Sequence, residues 1–233
     1  MVEVKNGEVF NLERAQRAIE NSFNVGEINT TEGPIKEKLA KSLGGNMDPH
    51  QSHDAWLKGI LVTFDIKHNG VFMPEFQRYH FADIVTSSSK MHRLVKMDLN
   101  RASNKYVSKD VIDYVNSYIE LYNHLLEEKE QNSFIGHRFT LRDGTVIECD
   151  NVEDALYTCY MIIISNCPMG LELFMRVSTN YKQLQTIYFQ RKHHKLHEWG
   201  NFCKMIEGLP YFKELILGED TNTEFKSEIK TDE

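Results

Sequence analysis

Residues 60–90 read Ile-Leu-Val-Thr-Phe-Asp-Ile-Lys-His-Asn-Gly (60–70), Val-Phe-Met-Pro-Glu-Phe-Gln-Arg-Tyr-His (71–80) and Phe-Ala-Asp-Ile-Val-Thr-Ser-Ser-Ser-Lys (81–90). The run 60–66 is compact and β-branched and is closed by Asn69-Gly70, which predicts a strand. Past Pro74, aromatic and basic side chains interleave (Phe76, Arg78, Tyr79, His80, Phe81), and a hydroxyl-rich turn follows at Thr86-Ser87-Ser88-Ser89. A strand feeding a loop of arginine, ring and hydroxyl groups is chemistry suited to a phosphate with an attached ring.

Upstream, Leu12, Ala15, Ala18, Ile19 and Phe23 fall at helical spacing, and Pro34 opens a second helix through Leu43 that Gly44-Gly45 stops. Downstream, Ser108 is placed as the N-cap of a long helix carrying Ile112, Val115, Ile119, Tyr122 and Leu126. Two alternating runs around Asp143-Gly144, within 138–148, are the strongest hairpin signal. A buried helix is expected over Glu153 to Ile164, and another from Leu184 to Trp199. The pattern predicts one α+β domain over 1–217, with a small central sheet and more helix than strand. The tail 218–233 is polar and acidic and is expected to be disordered.

With 233 residues, 41% hydrophobic and 26% charged, the chain has ordinary globular composition for one sizeable domain. Its formal charge of −7 argues against coating a nucleic acid polymer or a membrane surface. No apolar run approaches a membrane span, and charges in Met1-Val-Glu-Val-Lys-Asn-Gly7 leave no signal-peptide core, so a cytoplasmic protein is expected. The cysteines (149, 159, 167 and 203) form no Cys-x-x-Cys and are read as buried free thiols.

Neither Gly-x-Gly-x-x-Gly nor a Walker-type phosphate loop occurs, so an anionic ligand would need side-chain donors. Two basic groups could supply them: Arg78, His80, Lys90, His92, Arg93 and Lys96, and Lys182, Arg191, Lys192, His193, His194 and Lys195. Solvated helix faces are the plainer reading of both. His53-Asp54 invites comparison with metal phosphohydrolases, and His193 with His197 would share one helix face. No third ligand has a distinctive spacing, and no metal site is expected.

The order of these elements carries more. The strand at 63–67 precedes Arg78-Tyr79-His80 and Ser88-Ser89-Lys90, and later come Asn180-x-Lys182-x-Leu184 and Arg191. This resembles the flavin-dependent thymidylate synthases, whose signature runs Arg-His-Arg, then spaced serines with an arginine, and later Asn-x-Arg-x-Leu with a further arginine. The resemblance spans roughly residues 10 to 210. It implies FAD as cofactor, with NADPH and methylenetetrahydrofolate as co-substrates for methylating C5 of a pyrimidine deoxynucleotide such as dUMP, in a homotetramer with shared sites. By position it assigns Ser22, His53, Arg78, Tyr79, His80, Asn180 and Lys182 to the cofactor. Glu75, Ser88, Ser89, Lys90 and Arg191 fall to the nucleotide, with Ser88 and Arg191 catalytic. Tyr79 and His80 stand where the signature has His and Arg, and Lys90 and Lys182 stand where it has Arg. A nucleotide-binding protein without catalysis on the same scaffold is the alternative, and a metal phosphohydrolase on His53-Asp54 a weaker one.

Overall fold

A computed structural model describes residues 2–22 and 53–219. The helix expected at 34–43 and nearly all of the tail expected at 218–233 lie outside the described residues. Among the described residues the strands are β1 (Glu3–Phe10), β2 (Leu61–His68), β3 (Asp83–Ser87), β4 (His137–Thr140), β5 (Val146–Cys149) and β6 (Leu173–Asn180). The helices are α1 (Leu12–Ala18), α2 (Met73–Phe76), α3 (Lys90–Arg93), α4 (Leu99–Ala102), α5 (Lys109–Gln131), α6 (Val152–Ser165), α7 (Tyr181–Arg191) and α8 (His197–Glu207), with shorter 3₁₀ and π turns. One sheet has the order β1-β2-β6-β3 and the other pairs β4 with β5, so the α+β expectation holds.

The chain divides into two compact units. One comprises Met1–Glu3, Asp65–Arg78 and Ile84–Val177, and the other Val4–Phe64, Tyr79–Asp83 and Ser178–Glu233. In the first, α5 and α6 present Ile112, Val115, Ile119 and Leu125, and Ala155, Leu156, Cys159 and Ile163, to a common apolar core with Leu94, Leu99 and Phe139. Ser108 caps α5 by accepting from the Val111 amide, and Asn151 caps α6 by accepting from the Asp154 amide at 2.9 Å. The β4–β5 hairpin pairs His137 with Cys149 and Thr140 with Val146, antiparallel. Its loop turns at Gly144, whose φ of +85° suits a residue without Cβ.

The second unit is an aromatic core. Phe64 meets Phe202 edge-on at 5.7 Å, Trp199 meets Phe202 at 5.8 Å, and Phe212 meets Tyr181 and Tyr188 at 5.6 and 5.8 Å. Such pairs contribute about 0.5–1.5 kcal/mol each beyond burial. The N-terminus of α7 is set by Asn180, whose Oδ1 accepts from the Gln183 amide at 2.9 Å.

Several elements differ from the sequence reading. β3 occupies 83–87, so the hydroxyl-rich segment begins as strand and turns only at Ser88. The helix expected to run to Trp199 stops at Arg191, and α8 begins afresh at His197. His193 and His197 therefore do not share one helix. The break falls in Lys192–Lys195, where the Leu196 amide donates to His194 Nδ1 at 3.1 Å instead of continuing a helical ladder. Cys149, Cys159 and Cys203 are buried, and Cys167 is half-buried. Burial pushes the Cys159 thiol up to about 12 and the Cys203 thiol up to about 11, which keeps both protonated and poorly nucleophilic.

Two glycines give opposite expectations. A Cβ on Gly170 would collide with Val107 and Asn104, whereas one on Gly200 inside α8 meets nothing within 4 Å. Gly170→Ala should destabilise by about 1–3 kcal/mol through overpacking. Gly200→Ala should stabilise by about 0.5–1 kcal/mol, both read by urea denaturation. A pH dependence follows from His68, which is buried and lowered from its ordinary value of 6.5, desolvation outweighing its contact with the Asn69 carbonyl. Its contribution to stability is complete above 6.5 and is lost as pH falls through the lowered value. Denaturation midpoints should drop on acidification from neutral pH, and less so in His68→Gln.

Candidate functional site

The sequence-derived residues sort into three local settings, each within one unit. In the second unit, Arg191 ends α7 and Tyr79 opens the segment 79–83. The Arg191 Nε–H donates to the Tyr79 hydroxyl at 2.7 Å, and that hydroxyl donates to Gln190 Oε1 at 3.1 Å. The guanidinium lies 4.7 Å from the Trp199 ring centroid and 5.6 Å from that of Tyr79. The two rings meet edge-on at 5.9 Å. Trp199 is fully buried and Tyr79 is 8% exposed, so the cation sits against a desolvated aromatic wall, where cation–π attraction is strongest.

Lys182 makes the second setting. Its ammonium donates to the buried Asp54 carboxylate at 2.5 Å and to Gln185 Oε1 at 2.8 Å. An ammonium has three protons, so one more can be given to a ligand. Asp54 thus compensates a cation of its own chain, which weakens the reading of His53-Asp54 as metal-binding. Among the described residues no three His, Cys, Asp or Glu side chains group as metal ligands. His53 itself is exposed.

The third setting is in the first unit. Ser88 follows β3, donates its amide to the Phe174 carbonyl at 2.7 Å and accepts the Phe174 amide at its Oγ at 3.3 Å. It lines a pocket of about 500 Å³ with Lys67, Arg93, Arg101, Glu172 and Phe174. Lys67 pairs with Glu172 at 2.6 Å and Arg101 with Asp98 at 3.7 Å. Burial raises the Glu172 carboxyl, but hydrogen bonding and positive charge, with the Lys67 hydrogen bond the largest lowering cause, more than offset this and hold it below the usual carboxylate range. Ser89 Oγ accepts from the His92 amide at 3.2 Å and caps α3, whose first residue, Lys90, is exposed.

Arg78 and His80 are exposed, Glu75 is half-buried in α2, and Ser22 ends the 3₁₀ turn Ile19–Ser22. The basic run 191–195 is dispersed among rings: Lys192 lies 5.1 Å from the Phe189 ring centroid, and His194 faces the Trp199 edge at 6.4 Å. Sequence reasoning did not find the partners. Gln190 adjoins Arg191 in the chain, but Trp199 beside Arg191, and Asp54 beside Lys182, are joined by folding alone. The last two are separated by 128 positions.

No protein-family model and no curated protein sequence matches the chain. Solved structures do share its fold. A flavin-dependent thymidylate synthase ThyX from Helicobacter pylori, complexed with FAD and dUMP, superposes with TM-score 0.58 and 18% identity over 94% of this chain and 98% of that one. Another structure of ThyX from Helicobacter pylori with FAD and dUMP gives TM-score 0.59 and 18% identity over 93% and 97%. A UMP/dUMP methylase PolB from Streptomyces cacaoi, bound with 5-Br UMP, aligns at TM-score 0.48 and 14% identity over 92% and 89%.

The Lys182–Asp54 pair generates a stability expectation. Lys182→Met removes an ammonium that pairs with a carboxylate only 6% exposed. It should cost about 2 kcal/mol, below the 3–5 kcal/mol of a fully buried pair because Lys182 keeps some solvent. Lys182→Met combined with Asp54→Asn should recover most of the loss in urea denaturation, whereas equal losses in the single and double variants would contradict the pairing.

Proposed function

We propose that the chain is a flavin-dependent enzyme that transfers a one-carbon unit to C5 of a pyrimidine deoxynucleotide such as dUMP. One observation carries the reading: the fold shared along almost the whole of both chains with a flavin-dependent thymidylate synthase. The resemblance in sequence assigns Arg78, Ser88, Asn180 and Arg191 to the family's motif positions.

The donor set fits FAD. Arg78, His80 and His53 offer exposed nitrogen donors for its diphosphate. Lys182 keeps one ammonium proton, and Asn180 keeps its Nδ2–H₂ because its cap uses only Oδ1. Ser22 and Tyr79 complete the set that the resemblance assigns to the cofactor. When bound, FAD would carry the hydride of NADPH to the one-carbon unit supplied by methylenetetrahydrofolate, so that C5–H becomes C5–CH₃.

The chain's own residues hold and polarise the nucleotide. Ser88, Ser89, Lys90 and Glu75 belong to its binding set, and Ser88 keeps its hydroxyl proton to donate because its Oγ only accepts from Phe174. Arg191 faces the pyrimidine, where its fixed positive charge stabilises the negative charge that develops on the ring as C5 attacks. No thiol is needed for this chemistry, in keeping with the raised pKa values of Cys159, Cys167 and Cys203. The catalytic unit spans 1–217 and works as a homotetramer with shared sites.

The test is product mass. Protein incubated with FAD, NADPH, methylenetetrahydrofolate and dUMP should add the mass of one methylene group to the nucleotide. Arg191→Ala should lower turnover by about 100-fold or more with flavin binding intact. Unchanged turnover in Arg191→Ala would contradict the role of Arg191. Nucleotide-dependent thermal stabilisation with no product from any pyrimidine deoxynucleotide would instead favour a binding protein without catalysis.

A further inference from the structure

We infer that Tyr79 is a positioning residue for Arg191, taking up through its hydroxyl a task that the histidine of the family signature does not define. The inference rests on the reading of Arg191 above and deepens it. A guanidinium is a rigid planar fork, so fixing one N–H and the ring plane fixes the direction of every other donor. Both constraints are present. Nε–H is held by the Tyr79 oxygen at 2.7 Å, and the guanidinium carbon rests over the Trp199 ring, 4.7 Å from its centroid, which restricts the plane.

The hydroxyl is itself oriented. Its proton goes to Gln190 Oε1 at 3.1 Å, which turns a lone pair toward Arg191. Gln190 and Arg191 are adjacent at the end of α7, so the helix terminus carries both groups that address the phenol. Tyr79 is 8% exposed and Trp199 fully buried, so water competes weakly for the Nε–H. A phenol also places its oxygen farther from the backbone than an imidazole places its distal nitrogen. That reach lets residue 79 meet an arginine 112 positions away in sequence. Arg191 is thereby pre-set before any ligand arrives, and little reorganisation remains for the reacting complex.

Tyr79→Phe keeps the ring and removes only the oxygen. In ligand-free protein with ¹⁵N-labelled arginine, the Arg191 Nε–H resonance, assigned with Arg191→Lys, should exchange with water about tenfold faster in Tyr79→Phe, as loss of one hydrogen bond predicts. Gln190→Ala, an exposed position in α7, should give a smaller increase of about threefold and keeps the test usable if Tyr79→Phe does not fold. In turnover, kcat should fall about tenfold with the nucleotide KM changed less than about threefold, since the lost contact acts on the direction of a transition-state donor. Nε–H exchange unchanged in both variants would overturn the inference. If wild-type protein turns over no pyrimidine deoxynucleotide, the functional reading fails, and the exchange measurement alone decides the role of Tyr79.

Discussion

The two-residue alternation of β2 is the constraint on which the rest of the structure depends. Val62, Phe64, Ile66 and His68 are buried, while Thr63, Asp65 and Lys67 lie on the opposite face. A slip of one residue would exchange those two sets. β6 alternates in the same way, burying Met175, Val177 and Thr179 and leaving Arg176 to pair with Asp65 at 2.8 Å. Lys67 reaches Glu172 just before β6, and Thr63 reaches Glu8 of β1. The buried positions of these strands are therefore mostly apolar, and the opposite positions carry ion pairs and a hydrogen bond. The strand ends then lead into the candidate segments: Ser88 follows β3, and Asn180 ends β6 and starts the helix that finishes at Arg191.

The distribution of charge explains how a chain of net charge −7 can offer donors to an anion. Many of its cations are not spread over solvent. Lys182 is held by Asp54, Lys67 by Glu172, and Arg191 by the Tyr79 oxygen and the Trp199 face. Each is fixed by a partner that costs it only part of its donor capacity, because an ammonium has three protons and a guanidinium five. Fixing them in advance removes entropy that a ligand would otherwise have to overcome. Arg78 and His80 contrast with these, being exposed.

Elements with strong local chemistry were legible in the sequence. The β-branched run made β2 readable, Ser108 marked the start of α5, and Asp143-Gly144 marked the hairpin. β6 was missed although Arg176, Ser178 and Asn180 alternate with buried positions, because the strand runs into α7 at Tyr181 with no turn residue to mark its end. β1 reads Glu-Val-Lys-Asn-Gly-Glu-Val-Phe, too polar to announce itself. The break after Arg191 was hidden because helical spacing resumes at Trp199. At the site, residue types and their order pointed to Arg191, Ser88 and Lys182. Their partners had no local signal, since Tyr79 lies 112 positions from Arg191 and only the fold joins them.

The account turns on a flavin. The most direct measurement is the visible absorption spectrum of the purified protein, before and after adding FAD, then NADPH, with and without dUMP. The account predicts a bound-flavin spectrum that bleaches on reduction and shifts when the nucleotide is added. A protein that stays colourless after exposure to FAD and removal of the excess would contradict it.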